Sequence, residues 1–217
     1  MPYRRTENVV RRLAEREQAI VDAACAIAAE QGMGAVRIAG VAERADIAAG
    51  TVYRYFPSKT DLVAELVAAV AGRELDAMKA AADAAPGPLS ALSAAIATFA
   101  ARALNDRRLA WAVIAEPVDA KVDAMRLDFR QALAAELASR IKTAIDGRHL
   151  PEQDVRAAAP AIVGALMEGL IGPLAPAYGD DAAGSREAVQ AATLLALRAL
   201  GVVDARARGL VAQCVLP

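Results

Sequence analysis

The sequence has 217 residues, which is long enough for one large domain or two small ones, and we expect two. Hydrophobic residues make up 56% of the chain and aromatic residues only 4%, with abundant alanine, so the composition favours an all-α protein. The formal net charge of −1 gives no global sign of a nucleic-acid partner. Residues 1–60 hold nine Lys/Arg against seven Asp/Glu, and the remainder hold sixteen against nineteen, so a small positive excess lies in the first part.

The two cysteines, Cys25 and Cys214, lie far apart, without the spacing of a metal site and without a secretory signal peptide before them. We therefore expect a reduced, cytoplasmic chain with no metal and no cofactor. Cys25 falls on the apolar side of a helix and is expected to be a small core residue. The longest apolar stretch, 157–178, contains Glu168 and Pro160, which makes it a poor membrane span and a better buried helix.

The chain opens with a basic arm and a scaffold helix. Arg4 and Arg5 could follow a phosphate backbone or belong to a frayed, solvated helix end, whereas Arg11, Arg12 and Arg16 are expected to be helix-surface charges. Apolar periodicity predicts a helix near 15–31 that ends at Gly32 and faces inward through Ile20, Ala23, Ala24, Ile27 and Ala28.

Residues 37–59, RIAGVAERADIAAGTVYRYFPSK, predict two short helices joined by a tight turn. Ile38, Val41, Ala42 and Ala45 form the apolar stripe of the first helix, and Ala48, Val52 and Phe56 form that of the second. Asp46 occupies the turn, where a residue that tolerates the left-handed conformation is needed. The second helix then turns Gly50, Thr51, Tyr53 and Arg54 outward, which is the face that a helix-turn-helix presents to DNA.

These residues, in this order, resemble the TetR (AcrR-like) family of bacterial transcriptional regulators. The resemblance runs from Ile20 through Gly32, Val41 and the string GTVYRYF at 50–56 to Ser58, Lys59 and Leu62. It implies an all-α protein of about nine or ten helices. A helix-turn-helix DNA-binding domain with a basic arm would cover residues 1–61, and a helical-bundle domain for effector binding and dimerisation would cover 62–217.

The resemblance also implies which residues contact DNA. Thr51, Tyr53, Tyr55 and Lys59 match family positions that bind phosphates or base edges, and Ser58 with Asp61 can cap the next helix. Ala39, Ala49 and Gly50 stand where many relatives carry polar side chains, so direct base readout is expected to be thin. The predicted DNA-binding set is Arg37, Ala49, Gly50, Thr51, Tyr53, Arg54, Tyr55 and Lys59.

The rest of the chain predicts a helical bundle with a small, largely apolar effector of unknown identity. By resemblance, the large apolar side chains are candidates for the ligand pocket, although ordinary core packing explains any one of them as well: Phe99, Trp111, Met125, Phe129 and Met167. Arg102, Glu116, Arg126 and Arg130 could anchor a polar group there, but each could equally be a solvated helix charge.

Two late helices are predicted to form the dimer interface. Ala161, Ala165 and Gly169 repeat at four-residue spacing in a helix that contains Pro160, and Ser185 is predicted to cap a last main helix. By resemblance, two helices from each subunit would form a four-helix interface through Ala161, Ala165, Gly169, Val189, Thr193 and Leu197. Packing within the chain is the alternative.

The resulting hypothesis is a homodimeric repressor that leaves a palindromic operator in double-stranded DNA when the effector binds, with no role at a membrane. The alternatives are a constitutive regulator or activator without an effector and a carrier of hydrophobic molecules. Enzymatic function is disfavoured, because His149 is the only histidine and no nucleophile motif, phosphate loop or metal spacing is present.

Overall fold

The computed structural model describes residues 7–178 and 181–214. Within these ranges the chain is all-helical, which confirms the predicted fold class. The elements are α1 (Glu7–Gln31), a 3₁₀ turn (Met33–Ala35), α2 (Ile38–Arg44), α3 (Ala49–Tyr55), α4 (Lys59–Asp83), α5 (Pro88–Asn105), α6 (Arg107–Ile114), α7 (Ala120–Asp146), α8 (Val155–Leu170), α9 (Ala182–Ala199) and α10 (Asp204–Gln213).

The chain folds as two compact units. One contains the residues up to Val70 together with Ala112–Arg126, and the other contains Ala71–Trp111 and the residues from Leu127 onward. The first unit is therefore discontinuous in sequence. The assignment of residues 1–61 to DNA binding and of 62–217 to effector binding and dimerisation stays a prediction.

The first unit is built around the apolar side of α1. Ile20, Ala24 and Ala28 have no exposed surface, and Cys25 is buried among them as predicted. α1 begins at Glu7 rather than near residue 15, and its first turns are exposed to solvent, with Val9 and Val10 at 40% and 53% exposure. It ends before Gly32, whose φ of 87° lies in the region that glycine tolerates best.

A Schellman-type turn joins α2 to α3. Asp46 has φ 52°, so it adopts the left-handed conformation that the sequence analysis predicts. The amide of Ile47 donates to the carbonyl of Ala42 at 3.0 Å, and the amide of Asp46 donates to that of Glu43 at 3.1 Å. This turn sets the direction in which α3 leaves α2.

The second unit has α5 at its centre. α5 starts with Pro88 at its first turn and is buried on most of its sides; its largest buried side chains are Leu89, Leu92, Ile96 and Phe99. It packs mainly along α9, and α8 and α10 also contact both helices. Along the described chain, no helix combines the length and apolarity needed to cross a membrane.

Two predictions about α9 are corrected by this packing. Val189, Thr193 and Leu197 are 2%, 0% and 0% exposed, so they belong to the core of their own chain and cannot face a partner subunit. The helix begins at Ala182, where Asp181 accepts the amide of Gly184, and Ser185 lies inside the helix instead of capping it.

Candidate nucleic-acid interface

α3 has a polar, exposed side, and it is held in place by two buried apolar side chains, here called anchors. Val52 is fully buried and Phe56 is 4% exposed, as predicted. Tyr53 is 53% exposed and Arg54 is exposed beside it. Because α3 has only seven residues, its position depends on these anchors and not on helix propensity.

The small side chains of this surface lie at the start of α3. Ala49 and Gly50 are exposed, and Thr51 and Tyr55 are half-buried. Ala48, which the sequence analysis places on the apolar stripe, is exposed and is the N-cap residue with extended backbone. Apart from its own helix backbone and chain neighbours, nothing lies within 4 Å of a Cβ built on Gly50, so this part of the helix leaves room for close approach by a ligand.

Two cations stand at the starts of the flanking helices. Arg37 is the exposed N-cap residue of α2 and makes no side-chain cap. Lys59 is the exposed first residue of α4, and its Nζ lies 3.4 Å from the carbonyl oxygen of Gly34. The structure therefore places the predicted DNA-binding residues on three consecutive elements of one unit, with Arg37, Tyr53, Arg54 and Lys59 accessible to solvent.

In the first turn of α4, Asp61 is bonded to the helix-capping residue Ser58 and paired with Lys121. Ser58 Oγ accepts the Asp61 amide at 3.1 Å and donates to Asp61 Oδ2 at 2.7 Å, which confirms the predicted cap. Lys121 Nζ donates to Asp61 Oδ1 at 2.5 Å. The ammonium of Lys121, followed by the Ser58 hydroxyl, holds the pKa of Asp61 below its ordinary value of 3.8. Asp61 thus stays ionised, with its charge offset by Lys121.

Residues 116–121 make polar contacts with residues next to the helix-turn-helix, and the sequence analysis does not predict these contacts. Glu116 Oε2 accepts the amide of Met33 at 2.5 Å, at the start of the 3₁₀ turn. Asp119 Oδ2 accepts the hydroxyl of Thr60 at 2.6 Å. With the Lys121 contact, three polar bonds join this segment to residues about sixty or more positions earlier. Nothing in local periodicity signals such long-range pairs.

Two of the polar side chains suggested as anchors in the effector pocket have other partners. Arg126 is only 6% exposed and donates to the carbonyls of Val113 at 2.6 Å and Ala112 at 2.8 Å, so it caps the end of α6. Arg102 donates to the carboxylate of Glu74 through two nitrogens, at 2.7 and 2.9 Å. Neither is a free helix charge.

The predicted pocket residues are divided between the two units. Phe99, Phe129 and Met167 are buried in the second unit and Trp111 is half-buried there, whereas Met125 falls in the first unit. Their assignment to a ligand pocket stays a prediction. Arg4 and Arg5 of the basic arm lie outside the described residues.

The three α8 residues of the predicted dimer interface have the exposure that an interface requires. Ala161, Ala165 and Gly169 are exposed. Next to them, α8 and α9 enclose an apolar groove of about 170 Å³, whose lining includes Leu195 at 61% exposure. Their role in dimerisation stays a prediction.

Comparison with known proteins finds a family match within the first unit and relatives over about a third of the chain. The model of a family described as bacterial regulatory proteins, tetR family, matches residues 20–66. The HTH-type transcriptional repressor KstR of Mycolicibacterium smegmatis is 52% identical over 69 residues, which are 32% of each chain. KstR of Mycobacterium tuberculosis is 51% identical over 69 residues, 32% of this chain and 30% of the relative. The match thus spans about a third of the length of these curated relatives.

Solved structures share the fold over most of the chain. FadR from Bacillus halodurans, a fatty acid degradation regulator, superposes with a TM-score of 0.73 at 21% identity, covering 87% of this chain and 97% of that one. RolR in complex with resorcinol gives 0.67 at 19% identity, covering 96% and 98%. FadR from Bacillus subtilis in complex with stearoyl-CoA gives 0.69 at 19% identity, covering 86% and 98%. Identities this low show the fold alone.

Proposed function

We propose that the chain is a TetR-family regulator, namely a homodimeric repressor that releases its operator when a small, largely apolar effector binds. One observation carries the proposal: α3 exposes Tyr53 and Arg54 above the buried anchors Val52 and Phe56. The tetR family model, which matches residues 20–66, covers this part of the chain and supports the proposal.

In this proposal α3 enters the major groove, and its neighbours hold the phosphate backbone. Arg37 and Lys59 supply cations at either side of α3, and the Tyr53 and Tyr55 hydroxyls donate to phosphate oxygens. Ala49 and Gly50 offer no hydrogen bonds to base edges. Sequence preference would then come from Thr51, Arg54, thymine methyl contacts and DNA shape.

Dimerisation is supported by the exposed face of α8. Ala161, Ala165 and Gly169 are small enough to let a second helix approach closely, and Leu195 of α9 stands exposed beside them. A two-fold dimer would read two half-sites about 34–36 Å apart. The corrected interface uses the outer side of α9, since the inner side packs within the chain.

Effector response is proposed for the second unit. Proteins of this fold have been solved with ligands as different as resorcinol and stearoyl-CoA. In the dimer, the predicted DNA-binding domain of each subunit, residues 1–61, forms one head. An effector that prefers a dimer geometry with a different separation of the two heads would lower DNA affinity by that preference alone. A constitutive regulator would have the same head but no such response.

The test is a binding measurement on the full-length chain. Oligonucleotides selected from a random pool should yield a palindrome, and salt titrations of anisotropy on the selected duplex should be steep. Lys59→Ala should weaken binding to all sequences equally and flatten the salt slope by about 0.9 per bound head. Lys142→Ala, which removes an exposed lysine from α7, is the matched control.

Three results would contradict parts of the proposal. Absence of binding to any duplex at low salt would overturn the DNA-binding assignment. Loss confined to one base pair in the Lys59→Ala variant would overturn its phosphate contact. A screen of apolar compounds in which saturated binders leave operator affinity unchanged would favour the constitutive regulator.

A further inference from the structure

One side of α1 places two arginines next to the end of α3. Arg12 and Arg16 are four residues apart, so they lie on the same side of α1 about one turn from each other. Both are exposed. With Leu13 and Val9 they line an open cleft of about 620 Å³ that also includes Tyr55, the last residue of α3.

The charges of this cleft are unequal. Within the described residues, neither Arg12 nor Arg16 takes part in an ion pair or a side-chain hydrogen bond. Glu15 is the acidic residue of the lining, and it pairs with Arg11 at 3.5 Å on the neighbouring side of the helix. Since Arg11 offsets the charge of Glu15, the guanidinium groups of Arg12 and Arg16 leave the cleft positive.

We infer that the Arg12–Arg16 side of α1 binds phosphates of the DNA backbone that flanks the groove entered by α3. The inference rests on the proposed function and extends the DNA contact to a helix assigned only a scaffold role by the sequence. Exposed guanidinium groups without a carboxylate partner are suited to bidentate contact with phosphate. Tyr55, which also lines the cleft, adds a hydroxyl donor. This phosphate contact does not depend on the base sequence; it adds affinity and helps to fix the position of the protein on the duplex.

The experiment compares salt slopes on one duplex. A fluorescein-labelled random-sequence duplex of about 30 base pairs is titrated with wild-type protein and with the double variant Arg12→Gln/Arg16→Gln, from about 50 to about 150 mM KCl. Arg186→Gln/Arg206→Gln, which removes two exposed arginines from the second unit, matches the change in net charge. Circular dichroism melting confirms that the variants are folded.

The expected result is a slope of log K against log salt that is flatter by about 1.8 per bound head in the α1 variant and unchanged in the control. Over this threefold range of salt, wild-type protein would then lose about sevenfold more affinity per head than the variant. Equal slopes for wild type and the α1 variant would overturn the inference while leaving DNA binding intact. If wild-type protein fails to bind at the lowest salt, the proposed function falls as well.

Discussion

A methyl group added at Gly32 is expected to destabilise the first unit strongly, for two separate reasons. The backbone at Gly32 has φ 87° and ψ 170°, a region that residues with a Cβ rarely adopt. A Cβ there would lie 2.7 Å from Glu116 Oε1 and 3.0 Å from Oε2. The Glu116 carboxylate would relieve this contact by moving away, which breaks the hydrogen bond that it accepts from the Met33 amide at 2.5 Å.

The two effects can be given magnitudes. Backbone strain of this kind costs about 1–3 kcal/mol. Loss of a part-buried hydrogen bond to a carboxylate costs about 1.5–3 kcal/mol. We therefore expect Gly32→Ala to lower the free energy of unfolding by about 2.5–6 kcal/mol, measured by urea denaturation with circular dichroism and, for this unit alone, by hydrogen exchange of the Met33 amide.

Two matched variants separate the effects. Gly34→Ala adds the same methyl group two residues later, where no atom lies within 4 Å, and should change stability by less than about 1 kcal/mol. In a Glu116→Ala background, Gly32→Ala should cost only the backbone strain, about 1–3 kcal/mol. The reasoning is refuted if Gly32→Ala behaves like Gly34→Ala. Equal costs in both backgrounds would show that the carboxylate contributes nothing.

Three further outcomes are expected. Arg126→Met should lower the free energy of unfolding by about 2–4 kcal/mol in thermal melts, because it leaves two buried α6 carbonyls without a donor, and Arg126→Lys should recover part of the loss. An NMR titration of Asp61 should give a midpoint below 3.8, with its stabilising contribution present at neutral pH and lost as pH falls through that lowered pKa; Lys121→Met should raise the midpoint, and an unmoved midpoint would contradict the assigned cause. Leu195→Glu should shift the mass measured by light scattering towards the monomer, whereas Leu127→Glu, at a similarly exposed leucine of α7, should not.

The parts of the fold that depend on local periodicity could be predicted from the sequence. The stripe that buries Val41, Val52 and Phe56 is encoded within twenty residues, and so is the left-handed turn at Asp46. The early start of α1 could not be predicted, because an exposed helix needs no apolar repeat.

The candidate sites show where periodicity stops being informative. An apolar stripe such as Val189, Thr193 and Leu197 identifies a buried face, but the same stripe would suit a partner subunit or a helix of the same chain. Only the packing of α5 on α9 decides between them. Glu116 lies 83 residues after its partner Met33, and Lys121 lies 60 residues after its partner Asp61. Over such separations, no pattern in a single sequence specifies which residues pair.

The inclusion of Ala112–Arg126 in the same compact unit as α1 to α3 bears on how such regulators can be recombined. A hybrid gene that exchanges only the first sixty or seventy codons would separate Met33 and Asp61 from Glu116 and Lys121. The transplanted head would then meet a foreign loop in place of its own. Hybrids that also carry residues 112–126 from the donor of the DNA-binding region are expected to express as better-folded proteins. The unit to exchange is therefore two separate segments of sequence and not a single N-terminal block.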